Sequence, residues 1–129
     1  MNAGAMRATC HCGAVELCVT LSEPISNARR YDCSFCAKRG AAVVFAAQGD
    51  VEILKGCDAL MLYQWNTRQT DHYFCSRCGI FPHDQHDNPA DGYAINVGAL
   101  EGAHPKDHDP SPWIDGKNYL PDNHRKDEP

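Results

Sequence analysis

Short apolar runs recur along the chain, and their spacing predicts β-strands. Between residues 15 and 21 every second side chain is apolar, which is typical of a strand with one buried face. Residues 40–47 are small and apolar throughout, which predicts a strand buried on both faces. Further strands are predicted at 51–54 after a Gly49-Asp50 turn, at 60–65 as a central strand, at 71–74 and at 93–97. No window has the period of a long amphipathic helix, so we expect a mainly β fold with irregular loops and little helix.

The chain is expected to form a single domain over residues 1–129. Its length suits one domain, and it contains no internal repeat. The composition changes after Gly102, because five of the eight prolines lie in residues 105–129. We therefore predict an irregular C-terminal segment at 103–129 that wraps around the domain. Its candidate docking residues are Trp113, Ile114, Tyr119 and Leu120.

Composition and charge narrow the classes of partner. The net charge is −5 and the isoelectric point about 5.7, which argues against nucleic-acid binding because that function usually needs a basic face. No apolar run reaches the roughly 18 residues of a membrane span, and residues 1–10 lack the apolar stretch of a signal peptide. We expect a cytoplasmic protein that binds neither membrane nor nucleic acid.

Cysteine is the most informative residue type in this sequence. The chain has eight cysteines, and in a reducing cytoplasm such residues serve as metal ligands or catalysts. Two groups share a pattern: Cys10-His11-Cys12-Gly13 and Cys75-Ser76-Arg77-Cys78-Gly79 each end in glycine. Metal-binding turns of this kind often need a residue with positive φ, which glycine adopts without steric cost. We predict that Cys10, Cys12, Cys75 and Cys78 bind one structural zinc. Two redox pairs, or unpaired core thiols, are the alternatives.

The third group, Cys33-Ser34-Phe35-Cys36, has no second pair to complete four thiolates. A metal held by two sulfurs would keep open positions, as a catalytic zinc requires. Cys33 and Cys36 are therefore candidate catalytic residues and candidate ligands of a second zinc, with Asp32 and His83 as further ligands or proton relays. The alternative is a metal-free dithiol.

Basic residues surround this group. Arg29-Arg30 and Lys38-Arg39 flank Cys33 and Cys36. We interpret them either as a rim that attracts anions or as solvated turns. The remaining cysteines and histidines have less specific surroundings. Cys18 is expected in a strand, Cys57 in a turn and His11 as a spacer within the first cysteine group.

These motifs resemble the glutathione-dependent formaldehyde-activating enzyme family, which includes centromere protein V. The resemblance rests on Cys10-His11-Cys12-Gly13, the central cysteine group and Phe74-Cys75-Ser76-Arg77-Cys78-Gly79, over about residues 8–102. It implies a zinc-stabilised, β-tent-like fold. It also implies a structural zinc at Cys10, Cys12, Cys75 and Cys78, and a second zinc in a C-x-C-x-x-C cluster. This chain departs from that cluster, because Tyr31 replaces its first cysteine and Ala99 stands near another family cysteine.

The resemblance leads to three functional hypotheses. The first is a zinc-dependent carbon–sulfur lyase acting on a thiol adduct such as S-(hydroxymethyl)glutathione, with a small thiol such as glutathione as its partner. The second is a zinc-stabilised binding module without catalysis, and the third is a thiol-redox protein that uses Cys33 and Cys36. An exchangeable metal at Cys33 and Cys36 would favour the first.

Overall fold

A computed structural model of the protein describes residues 4–65, 70–86 and 92–115. Nine strands and a single α-helix lie within these residues, which confirms the expected mainly β fold. The strands are β1 (Ala5–Thr9), β2 (Glu16–Leu21), β3 (Arg30–Tyr31), β4 (Val43–Lys55), β5 (Leu60–Tyr63), β6 (Thr70–Cys75), β7 (His83–His86), β8 (Tyr93–Asn96) and β9 (Trp113–Ile114). The helix is α1 (Ser34–Arg39), and short 3₁₀ turns cover Ile25–Asn27, Cys57–Ala59, Val97–Ala99 and Pro105–His108.

Seven strands form one antiparallel sheet in the order β1-β2-β4-β8-β7-β6-β5. In a flat sheet β1 and β6 would lie about 24 Å apart, at about 4.8 Å per strand. Cysteines that follow β1 and end β6 nevertheless come within 4.8 Å of one another at their sulfur atoms. The sheet must therefore curve strongly, and the cysteine group joins strands that are distant in the sheet order.

The hydrophobic core lies inside this curved sheet. Leu17 and Val19 on β2 are fully buried, as the alternating pattern predicted, and they pack with Val44 of β4 and Ile95 of β8. Cys10 and Cys75 belong to the same core cluster. The cysteine group is thus an extension of the core.

Two strand predictions differ from the structure. The Gly49-Asp50 signal does not reverse the chain, because residues 40–47 and 51–54 contribute to one long strand, β4. The signal marks an irregularity instead: Leu21 pairs with Ala46 and Val19 with Val51, so the register shifts between them. Residues 60–65 were expected to form a central strand, but β5 is at the edge of the sheet.

The start of the C-terminal segment docks beside the helix. β9 pairs in parallel with β3, and the Asp32 amide donates a hydrogen bond to the Ile114 carbonyl oxygen at 3.1 Å. Trp113 and Ile114 themselves stay exposed, so the docking uses backbone rather than buried side chains. Tyr119 and Leu120 lie outside the described residues. None of the helices in the described part of the chain is long and apolar enough to span a membrane.

Candidate functional site

Four cysteine sulfurs converge where the turn after β1 meets the end of β6. The sulfurs of Cys10, Cys12, Cys75 and Cys78 all lie within 4.8 Å of one another. The Cys10 and Cys12 sulfurs are 3.6 Å apart, and those of Cys12 and Cys75 are 3.7 Å apart. A tetrahedral zinc with Zn–S bonds of about 2.3 Å would separate its sulfurs by about 3.8 Å. This group can hold a metal ion, and its spacing matches the size of a four-thiolate zinc site.

The turns around these sulfurs have the backbone that the sequence predicted. Gly13 and Gly79 have φ of +80° and +82°, which confirms the need for glycine after each cysteine pair. The Val15 amide donates to the Cys10 sulfur, and the Arg77 amide donates to the Cys75 sulfur, each at 3.4 Å. Such amide donors favour sulfur in its thiolate form.

Because the four sulfurs lie close together, the pKa values of Cys78 and Cys12 shift in opposite directions. A hydrogen bond from the Ile80 backbone contributes most to lowering the pKa of Cys78 to about 6. The Ala14 backbone favours a lower pKa at Cys12, but burial and the other three sulfurs raise it to about 11. Four thiolates repel one another without a cation between them, so full deprotonation of this group requires a bound metal.

Cys33 and Cys36 form a separate pair at the start of α1. Cys33 is the N-cap residue, and its sulfur accepts a hydrogen bond from the Cys36 amide at 3.1 Å. Cys33 is 1% exposed, whereas Cys36 is half-buried. Solvent therefore contacts the Cys36 residue more than the Cys33 residue.

A buried network of polar side chains supports this pair. Arg39, at the last turn of α1, donates two hydrogen bonds to the Asp84 carboxylate, at 3.0 and 2.6 Å. One of these two oxygens, Asp84 Oδ1, also lies 3.2 Å from Nδ1 of His72. The indole N–H of Trp65 donates to His72 Nε2 at 3.3 Å, which places the ring proton of His72 on Nδ1. The network links α1 to β6 and β7.

The buried polar network and the Cys33–Cys36 pair influence the pKa values of each other's groups. Interaction with Cys36 lowers the pKa of Cys33 despite its burial, and the Cys36 amide and Arg39 act in the same direction. Cys33, followed by burial, raises the pKa of Cys36. Burial alone would raise the pKa of Asp84, but His72 and Arg39 outweigh it and bring the pKa to about 2. At neutral pH, Asp84 is a carboxylate and Cys36 retains its proton more strongly than Cys33 does.

Aromatic rings form a wall beside the cysteine pair. Phe35, between the two cysteines, stacks on Tyr63 with ring centres 5.2 Å apart, and it lies 4.4 Å from the His72 ring. The Arg39 guanidinium lies over the rings of Phe35 and Phe81, at 4.4 and 3.7 Å. These contacts fix the orientation of α1 against the sheet.

His83 and Asp32 were expected to complete a second zinc site, but in the described residues they form no group of converging ligand atoms with Cys33 and Cys36. His83 stacks on Tyr73 and contacts Tyr93. Neighbouring strand residues point to opposite faces, so Asp84 rather than His83 faces α1. Asp32 is exposed on the loop before the helix, where its amide binds the C-terminal segment.

Tyr31 and Ala99 are the two positions where this chain departs from the family's cysteines, and neither supplies a third ligand. The Tyr31 hydroxyl accepts a hydrogen bond from Arg29 Nε at 3.2 Å, and Ala99 has no ligand atom. Both oxygens of Asp84 are bound by Arg39. Over residues 4–65, 70–86 and 92–115, Cys33 and Cys36 belong to no group of three converging ligand atoms. Two sulfurs do not fit the three or four protein ligands of a zinc centre.

Three of the four basic residues considered for an anion-attracting rim form ion pairs within the chain. Arg29 binds Glu23 at 2.9 Å, Arg30 binds Asp109 at 3.2 Å and Arg39 binds Asp84. Their charges are balanced by carboxylates of the same chain, which leaves Lys38 as the exposed cation of this set. Recognition of an anionic substrate by these arginines would require the ion pairs to open.

Asp84 and His72 were missed because the sequence gives no local signal for them. Asp84 lies in the polar run His83-Asp84-Gln85-His86, which was interpreted as a loop but forms β7. Its partner Arg39 lies 45 positions earlier in the chain. Of the other cysteines and histidines considered, Cys18 is half-buried on β2, and Cys57 and His11 are exposed.

Known proteins resemble this chain in sequence and in fold. The sequence model of the family described as "Glutathione-dependent formaldehyde-activating enzyme" matches residues 5–115. A protein of Halomonas elongata named "Putative glutathione-dependent formaldehyde-activating enzyme" is 32% identical over 81 residues, which cover 57% of this chain and 51% of that protein. The chain thus aligns with about half the length of this curated relative.

A solved structure is similar over most of the chain. The crystal structure of a Rhodobacter sphaeroides protein superposes with a TM-score of 0.80 and 45% sequence identity, covering 84% of this chain and all of the other. The fold and site define a mainly β protein with a four-cysteine group that could hold a metal ion. The chain belongs to the glutathione-dependent formaldehyde-activating enzyme family.

Proposed function

We propose that this protein makes and breaks the carbon–sulfur bond between a small thiol and formaldehyde, as in S-(hydroxymethyl)glutathione. Family membership and the name of the Halomonas elongata relative support this substrate class. The observation that carries the proposal is the geometry of the Cys33–Cys36 pair at the start of α1, where the Cys36 amide donates a hydrogen bond to the Cys33 sulfur at 3.1 Å; the pKa of Cys33 is lowered and that of Cys36 is raised. Two neighbouring groups with separated proton affinities are the usual basis of acid–base catalysis.

The reaction needs a proton to leave one sulfur and reach one oxygen. Cys36, the more exposed residue of the pair, accepts the proton of the substrate thiol while its own proton passes to the Cys33 thiolate. The substrate thiolate then adds to the carbonyl carbon of formaldehyde, and the new alkoxide takes a proton back through Cys36. The reverse sequence breaks the carbon–sulfur bond and returns both molecules. Protons balance in either direction, and no metal takes part.

Arg39 and Asp84 have a supporting role in this proposal. The Arg39 guanidinium favours thiolate at both cysteines, and Asp84 holds it in place. Because Asp84 and Arg39 do not touch the substrate, they are positioning residues. The aromatic wall of Phe35 and Tyr63 would exclude water from one side of the pair.

We propose further that the ion held by Cys10, Cys12, Cys75 and Cys78 is zinc. Four thiolates in tetrahedral spacing are the preferred ligands of structural zinc. Bound there, zinc would neutralise the thiolates and fasten the ends of the curved sheet. The ion would stabilise the fold without touching the substrate.

The test is exchange between glutathione, formaldehyde and their adduct, followed by NMR. Wild-type protein should accelerate exchange over a protein-free sample, and Cys36→Ser should abolish the acceleration while it keeps its fold and zinc. Cys57→Ser is the matched control, since Cys57 is exposed and lies outside both cysteine groups. Equal rates with wild type, with Cys36→Ser and without protein would refute catalysis and favour the binding module.

A further inference from the structure

The Cys33–Cys36 pair has features that the proposed acid–base reaction does not require. The two residues are separated by two positions and share the first turn of α1, and the Cys33 sulfur lies 3.1 Å from the Cys36 amide nitrogen. Residues three apart on a helix are neighbours, and a disulfide needs Cα atoms about 4.4–6.8 Å apart. The backbone therefore holds the two side chains on one side of the turn, with the Cys33 sulfur directed at Cys36.

The two residues differ in exposure. Cys33 is buried, whereas Cys36 is partly exposed. Solvent therefore contacts the Cys36 residue more than the Cys33 residue. This order suits a pair in which the first cysteine attacks and the second resolves.

The surroundings favour a dithiol over a metal centre. The nearest buried carboxylate, Asp84, binds Arg39 through both oxygens and so is not available as a ligand. The Tyr31 hydroxyl is bound to Arg29. Arg39 also places a positive charge near both sulfurs, which stabilises a thiolate intermediate during exchange.

We propose that Cys33 and Cys36 form a reversible disulfide by exchange with a low-molecular-weight disulfide such as glutathione disulfide. The Cys33 thiolate takes the proton of Cys36, and the Cys36 thiolate so formed attacks one sulfur of that molecule, forming a mixed disulfide and releasing one thiolate. Cys33 then loses this proton to the released thiolate and attacks Cys36, closing the intramolecular disulfide and releasing the second thiolate, which takes a proton from solvent. The two protein sulfurs are oxidised, and the small disulfide is reduced to two thiols.

This inference uses the same residues as the proposed function but a different reaction. Disulfide exchange changes the oxidation state of the pair, whereas addition of a thiol to formaldehyde does not. The two activities are therefore measured separately, by the oxidation state of the cysteines and by formation of the carbon–sulfur adduct. Each can fail without the other.

The experiment incubates the zinc-bound protein with defined ratios of glutathione disulfide to glutathione. Samples are quenched in acid, alkylated and analysed by peptide mass spectrometry, while bound zinc is measured in parallel. We expect a Cys33–Cys36 disulfide that increases with the ratio, disappears when the ratio is reversed and forms without loss of zinc. Cys57→Ser should behave like wild type.

Two single variants distinguish the roles of the sulfurs. Cys33→Ser should accumulate a mixed disulfide between Cys36 and glutathione, because the resolving sulfur is absent. Cys36→Ser should lose both the intramolecular disulfide and the mixed disulfide, because Cys33 is buried. The proposal is overturned if no Cys33–Cys36 disulfide forms at any ratio, or if disulfides form only among the four metal-binding cysteines. It is equally overturned if Cys33→Ser loses one equivalent of bound metal.

Discussion

Arg39 and Asp84 form a bidentate ion pair that is almost completely buried, with the two side chains 17% and 6% exposed. The pair fastens the end of α1 to β7, and α1 begins with Cys33. The contact therefore determines where the helix and its two cysteines lie on the sheet. Arg30 of the same chain pairs with an exposed carboxylate, Asp109. Comparing the two ion pairs therefore measures how much the buried one contributes to stability.

Asp84→Asn should lower the free energy of unfolding by about 3–5 kcal/mol, because it leaves the Arg39 charge buried without a counter-charge. The control is Asp109→Asn, which removes the carboxylate partner of Arg30. Asp109 is 46% exposed, so its loss should cost less than about 1 kcal/mol. Urea denaturation of both variants measures the difference. Equal effects of the two substitutions would contradict a structural role for the buried pair.

His83 should make the stability of the protein depend on pH. Burial lowers the pKa of His83 from 6.5 to about 4 in the folded protein, so the unfolded chain binds a proton at a higher pH than the folded one. Stability is therefore lost as pH falls below about 6.5, by about 2 kcal/mol between pH 6.5 and pH 5. His83→Phe keeps a ring between Tyr73 and Tyr93 but removes this term.

The comparison uses urea denaturation of wild type and His83→Phe at both pH values. Zinc content is checked at each pH, since metal release also depends on protonation of cysteine. The wild-type free energy of unfolding should fall more steeply with acidification than that of the variant. Parallel curves would show that His83 is not kept neutral by the fold.

Cys75→Ser should abolish stable folding. Cys75 is fully buried in the core, and its sulfur lies 3.7 Å from that of Cys12. Binding energies of structural zinc sites are of the order of 10–16 kcal/mol, which exceeds the stability of most domains. The control is Cys18→Ser, which replaces a half-buried cysteine outside the group. A Cys75→Ser protein that unfolds cooperatively and retains zinc on its other three cysteines would argue against a stabilising role.

Local patterns in the sequence predicted much of the fold and singled out both cysteine groups, of which Cys10, Cys12, Cys75 and Cys78 converge in the structure. The alternation at Leu17 and Val19 identified β2, and glycine after each cysteine pair identified turns with positive φ. These features depend on neighbouring residues, so they are visible in a linear sequence. Contacts between distant segments explain the rest.

The features that were missed depend on such distant contacts. β7 consists of polar residues, and Asp84 within it faces the buried polar partners Arg39 and His72, so its sequence resembles a loop. β5 has apolar residues on both faces, which suggested a central strand, but Met61 and Leu62 are exposed at the sheet edge. The arginines near the cysteines seemed free to bind anions because their carboxylate partners cannot be assigned from spacing alone.

We infer that the two cysteine groups have separate roles, with metal binding at one and thiol chemistry at the other. The decisive measurement is elemental analysis of zinc per chain on wild type, Cys33→Ser and Cys36→Ser purified under reducing conditions in the presence of zinc. We expect one tightly bound zinc per chain in all three proteins, since Cys10, Cys12, Cys75 and Cys78 are unchanged. Two zinc ions per chain in wild type and one in each variant would contradict it.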